Sequence, residues 1–176
     1  LEFRRVLFRS LSRGEFGATV ACGRILQFLK EREIKSTWFT PGFTIESWPK
    51  QSAAVAEGGH EIGHHSWAHI PNANQTRDEE EADLVRANEN IKKLTGRTAR
   101  GYRSPSWDLS PHTIDLLLKH GFLYDSSLMG ADYIPYRARR GDKAELGELA
   151  IYLRSLKSLP GTPPRAVVVV SAHWEE

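Results

Sequence analysis

Cysteine is nearly missing from this chain: Cys22 stands alone among 176 residues. No internal disulfide can form, which agrees with a reducing compartment. Long apolar runs are missing too. Nothing approaches the roughly 18 residues that a membrane-spanning helix needs, so no span is expected. An excess of charge of one sign is also absent. The 24 basic and 22 acidic residues leave a net charge of +2, too little to argue for nucleic acid or a membrane surface. The short basic run Arg137-Ala138-Arg139-Arg140 reads as a solvated loop. Residues 1–10 lack the apolar stretch of a secretory signal, being broken by Arg4, Arg5 and Arg9, and a cytoplasmic location is the expectation. They fit nothing that follows and read as an unrelated leader. Finally, no aspartate precedes Asp78.

What the chain does have is a concentration of histidine. Four of its seven histidines lie between His60 and His69, in Gly59-His60-Glu61-Ile62-Gly63-His64-His65-Ser66-Trp67-Ala68-His69. Imidazole is the commonest protein ligand for transition metals. His65 and His69 are four apart, so a helical or tight-turn backbone would send both rings to one side. That spacing serves either of two purposes: two nitrogens on one cation, or a polar loop whose histidines bond backbone and water. Imidazole suits zinc, cobalt, nickel and iron alike.

The length predicts one domain with a real core. Helical periodicity runs from Val20 to Arg32, with Val20, Ile25, Leu26, Phe28 and Leu29 on the apolar side. Lys35–Thr40 reads as a strand stopped by Pro41-Gly42. A helix is expected from Pro49 to Glu57, then a short strand at His60–Gly63. Thr76-Arg77-Asp78-Glu79 has the form of a capping box, opening a helix to Leu94 with Leu84, Val85, Ile91 and Leu94 inward. Ala99–Tyr102 reads as a strand. Ser110-Pro111 opens a helix that buries Ile114, Leu117 and Leu118, followed by a strand at Phe122–Tyr124. Strands alternating with helices predict a parallel α/β layered fold or barrel. Every unusual polar cluster follows a strand, where α/β active sites lie.

These residues resemble a known family. The segments Ser12-Arg13-Gly14-Glu15-Phe16-Gly17, Thr37-Trp38-Phe39-Thr40-Pro41-Gly42, the histidine stretch, Gly101-Tyr102-Arg103-Ser104-Pro105-Ser106-Trp107 and Tyr124-Asp125-Ser126-Ser127-Leu128 are similar to the polysaccharide deacetylases (NodB-homology family). The likeness is to the peptidoglycan-deacetylase and allantoinase branch and spans about residues 11–142. It implies an incomplete distorted (β/α) barrel. It also implies a metal-dependent hydrolase of non-peptide N-acyl amide bonds, acting on an N-acetylated glycan such as peptidoglycan, or on a small cyclic amide such as allantoin. By resemblance, His65 and His69 are metal ligands and Arg103 orients the catalytic base. Trp107 and Pro105 line the substrate pocket, and His64 supports a ligand. The cofactor implied is a divalent cation, zinc first among the candidates. The family takes its third ligand and its base from an N-terminal aspartate strand that this sequence does not contain, so weak metal affinity and little activity are expected.

Beyond Asp142 the likeness stops. Ala144–Leu159 has the pattern of an amphipathic helix and Ala166–Val170 that of a buried strand. The ending Val170-Ser171-Ala172-His173-Trp174-Glu175 resembles the start of class III extradiol dioxygenases of the DOPA-dioxygenase type, which makes His173 a candidate ligand in a segment joined from another gene. The joined segment is the preferred reading; the alternative is that Val167–Val170 is one more barrel strand.

Overall fold

The computed structural model describes residues 15–128 and the backbone of 168–171. A π-helical turn, Gly17–Ala21, runs into α1 (Cys22–Glu31). There follow β1 (Ser36–Thr40), α2 (Gly42–Ser47), α3 (Pro49–Glu57), β2 (Glu61–His64), a 3-10 turn (Asn72–Asn74), α4 (Arg77–Thr95), β3 (Gly101–Tyr102), α5 (Thr113–Lys119), β4 (Tyr124–Asp125) and β5 (Val168–Ser171). The strands form one parallel sheet in the order β4-β3-β2-β1-β5. Among the described residues the sheet is open, an arc of the barrel type expected from the sequence. Residues 1–10, most of the tail and His173 lie outside the described residues.

The core is the packing of the helices on the sheet. Leu29 of α1, Val55 of α3, Leu84 and Ile91 of α4 and Leu116 and Leu117 of α5 are buried with Trp38, Ile62, Tyr102 and Phe122. Strand β1 is buried along its whole length, as parallel strands covered on both faces are. Helix α4 begins with the capping box foreseen: the Glu79 amide donates to Thr76 Oγ1 and the Thr76 amide donates to Glu79 Oε2. It ends at Gly96, whose φ of +80° suits a residue without a Cβ. Gly63 serves another need: a Cβ there would come within 2.6 Å of the Phe39 ring.

Three expectations need correction. Val85 points outward at 38% exposure, because α4 turns its Glu80, Leu84, Ala87 and Ile91 face to the sheet and Val85 falls 100° from Leu84. Phe28 is also exposed, with the Arg32 guanidinium 3.8 Å over its ring. Helix α5 starts later than Pro111. Ser110 Oγ still accepts from the His112 and Thr113 amides, so the serine caps the turn. Leu116 and Leu117 carry its burial while Ile114 stays half-buried.

Glu80 is charged in sequence yet buried, and its surroundings explain it. Its carboxyl oxygens accept from Ser110 Oγ at 2.5 Å, Thr113 Oγ1 at 2.5 Å and Asn72 Nδ2 at 2.9 Å. Asn72 also bonds the Tyr102 hydroxyl. The cluster ties α4, α5, β3 and the segment after the histidines. Glu80→Ala leaves three donors without their acceptor, and we expect a loss of about 3 kcal/mol, read as a lower urea midpoint with an unchanged slope.

Candidate functional site

The site lies where β2 and β3 end. The parallel ladder pairs His64 with Tyr102, and the Arg103 amide donates to the His64 carbonyl at 2.9 Å. Residues thirty-eight apart in sequence, His65 and Arg103, are thereby neighbours. His65 is fully buried, and its Nδ1 lies 2.7 Å from the Arg103 carbonyl oxygen. A carbonyl can only accept, so the proton sits on Nδ1 and the lone pair on Nε2. The His69 ring lies 4.9 Å from the His65 ring, centroid to centroid, with the planes at 71°. The turn between them is not helical: Ser66 and His69 have φ of +64° and +59°. Convergence comes from two left-handed residues and not from helical spacing.

That turn is held from every side. The Ser66 and Trp67 carbonyls accept from the Gly42 and Phe43 amides at the start of α2. The Trp67 amide donates to Asp83 Oδ2 at 2.7 Å and the Ala68 amide to Asp83 Oδ1 at 3.2 Å. His64 is fully buried. Its Nε2 faces the Leu84 carbonyl at 3.1 Å, which makes that nitrogen the donor, and its Nδ1 accepts from the Ser66 amide at 3.2 Å. His64 thus points away from His65 into the core, where it braces the turn.

Arg103 has its guanidinium between two rings, 4.9 Å from the Phe39 centroid and 4.7 Å from the Trp107 centroid. Its Nη2 donates to Ser126 Oγ at 2.6 Å. Trp107 is 43% exposed with φ of +63°. Of four non-glycine residues with positive φ among the described residues, Ser66, His69 and Trp107 are here, and such strain clusters at functional sites. Pro105 is buried beneath the Arg103–Trp107 turn. Burial raises the Asp125 carboxyl, while hydrogen bonds from Ser127 and Leu128 oppose that rise.

The histidine pair fits a divalent cation as two neutral nitrogen donors, since the tautomer of His65 directs a lone pair outward from its carbonyl partner. Among the described residues no group of three or more histidine, cysteine, aspartate or glutamate side chains could complete such a site.

Asp83 was not singled out from sequence. The available signal was its place on α4, one turn from Glu80 and Ala87 on the sheet-facing side, where a carboxylate needs partners. Asp125 caps the turn that follows β4, accepting from the Ser127 and Leu128 amides, and Ser126 holds Arg103.

The polysaccharide deacetylase family profile matches residues 15–124, and the chain belongs to that family. It is 42% identical over 165 residues to a peptidoglycan deacetylase of Helicobacter pylori, covering 93% of this chain and 56% of that protein. Its structure superposes on a Mycobacterium smegmatis chain assigned to the polysaccharide deacetylases with a TM-score of 0.68 at 31% identity, covering 91% and 48% of the two chains. The PuuE allantoinase gives a TM-score of 0.65 at 26% identity over 74% of this chain and 43% of its own. The chain therefore spans about half the length of the relatives it matches. No helix among the described residues is long and apolar enough to cross a membrane.

The burial of His64 carries a pH dependence. Desolvation lowers its pKa from 6.5 to about 4, so between those values the unfolded chain holds the extra proton. Stability is then flat above the upper value and falls as pH drops toward the lower one, by about 3 kcal/mol at ~1.4 kcal/mol per unit. Urea midpoints across this range, with ring ¹⁵N spectra showing that His64 of the folded protein begins to charge only as pH approaches about 4, check it. A ring that charges near its ordinary pKa in the folded protein would contradict it.

Proposed function

We propose that this chain is part of a metal-dependent deacetylase of N-acetylated glycan, peptidoglycan being the favoured substrate class. Family membership and the likeness to the Helicobacter pylori peptidoglycan deacetylase support the chemistry. The single observation that carries the assignment to a site is the His65 tautomer fixed by the Arg103 carbonyl, with the His69 ring beside it at the strand ends.

In this reading His65 and His69 hold the cation through ring nitrogens, and His64 and the Asp83 carboxylate keep their turn in register. When bound, such a cation supplies Lewis-acid polarisation of the amide carbonyl and a more acidic water. Arg103, steadied by Phe39, Trp107 and Ser126, presents a positive charge to a carboxylate base. Trp107 offers an exposed ring for the sugar, and the buried Pro105 stiffens the turn that presents it. The fit to the cation is partial: two neutral imidazoles bring no anionic ligand, and no aspartate precedes Asp78 to serve as ligand or base. Zinc affinity is accordingly weak and acetate release slow or absent in the chain as it stands. The likeness to an allantoinase keeps cyclic amides as the second substrate class.

Calorimetric titration of the full chain with zinc tests the site. The expected outcome is weak binding, with enthalpy that vanishes in His65→Ala and in His69→Ala. Sub-micromolar zinc binding lost in His65→Ala would refute the partial site, and binding indifferent to both substitutions would refute the ligand pair. Acetate released from N-acetylglucosamine oligomers, set against ring opening of allantoin, separates the two substrate classes.

A further inference from the structure

The peptide between Arg103 and Ser104 is hydrogen-bonded on both edges. Its carbonyl accepts from His65 Nδ1 at 2.7 Å. Its N–H donates to Ser127 Oγ at 2.8 Å. The C=O and N–H of one planar peptide point in opposite directions, so the two bonds run in line. The Ser127 hydroxyl then donates to Asp125 Oδ1 at 2.8 Å. The other carboxylate oxygen, Asp125 Oδ2, accepts from the Ser127 amide at 2.8 Å and the Leu128 amide at 3.1 Å. The carboxylate is thereby fixed in orientation by the turn it closes. Ser127 is 1% exposed and Ser104 and His65 are fully buried, so water is kept from the middle of the line, while Asp125 at its end is half-buried.

Each bond in this line has one possible sense. The carboxylate can only accept, so the serine hydroxyl must give it its proton and receive the Ser104 N–H on a lone pair. A peptide whose N–H donates to an acceptor shifts electron density through its amide bond toward its oxygen. The Arg103 carbonyl therefore pulls harder on the His65 Nδ1 proton. Hydrogen bonds linked in this way reinforce one another where water is excluded. Metal-binding histidines commonly donate their second ring nitrogen to a carboxylate or a carbonyl, which fixes the tautomer and raises the basicity of the liganding nitrogen. Here both partners are present in series.

We propose that Asp125 is a positioning residue for His65, acting across Ser127 and the Arg103–Ser104 peptide to hold the Nδ1–H tautomer and strengthen Nε2 as a donor. The part concerning metal rests on the proposed function; the part concerning the tautomer does not. Asp125 also lies near the Arg103 guanidinium, and its removal alone would mix two effects. Ser127→Ala breaks the line and keeps that charge in place. Ser127→Thr retains the hydroxyl.

The test is ring ¹⁵N and ¹H spectroscopy of the full chain labelled at histidine, without metal and then through a zinc titration. In the unsubstituted protein His65 should show a protonated Nδ1, with its proton strongly downfield. Ser127→Ala and Asp125→Asn should move that proton upfield, and Ser127→Thr should restore it. Zinc affinity at His65 should fall by about tenfold in the first two variants, in keeping with the loss of an indirect partner of a ligand. A His65 protonated at Nε2, or an Nδ1 proton unmoved by both Ser127→Ala and Asp125→Asn, overturns the proposal. Should Ser127→Ala not fold, Ser127→Cys, a weaker donor and acceptor in the same place that leaves the Asp125 charge intact, and the tautomer of the unsubstituted protein decide it. A line present without zinc binding at His65 sustains the tautomer claim and refutes the metal reading alone.

Discussion

The bond from the Arg103 amide to the His64 carbonyl joins the ends of β2 and β3, and the site depends on it. It continues the parallel ladder one step past His64 and Tyr102. Beyond that point both chains leave the sheet together, so the imidazole of His65 meets the Arg103 carbonyl instead of solvent. The pleat explains the division of labour between adjacent histidines. Successive side chains take opposite sides. His64 therefore enters the core between Tyr102, Phe122 and Leu84, and His65 turns to the mouth.

The surrounding helices also serve this junction. Helix α2 offers its first amides to the turn's carbonyls, and α4 offers Asp83 to its amides. Glu80, one turn earlier on α4, fastens the outgoing segment through Asn72. A peptide stretch that leaves a strand has donors and acceptors to satisfy, and here those of Ser66 and Trp67 and the Ala68 amide are met by specific groups. Backbone satisfaction and site geometry are the same set of bonds.

Much of the scaffold was legible in the chain. Apolar periodicity located α1 and α4, the capping box placed the start of α4, and the alternation of strand and helix gave the parallel sheet. The motifs at His65–His69 and Gly101–Trp107 carried the family. What stayed hidden was long-range or local to one dihedral. Helix α2 has six residues, too few for a period to show. Val85 was misjudged because four apolar residues on one helix do not say which of two neighbours faces inward. The route by which the imidazoles converge was invisible, since a left-handed serine leaves no mark in composition. Asp83 and Asp125 are ordinary carboxylates until folding shows which amides they hold.

The turn from His65 to His69 is anchored through the Ser66, Trp67 and Ala68 backbone to α2 and α4 and contains two residues in the left-handed region. Its length is consequently less free to drift than its side chains. One residue inserted or lost there would move His69 off its dihedral and offset the amides that Asp83 grips. Divergence in this segment should proceed by replacement at constant spacing, with Ala68 the freest to change because it contributes mainly its backbone amide, whereas the Trp67 ring packs on Phe43 and under the Arg86 guanidinium. The gap between the histidines is a ruler set by main-chain bonding, and chemistry reads it second.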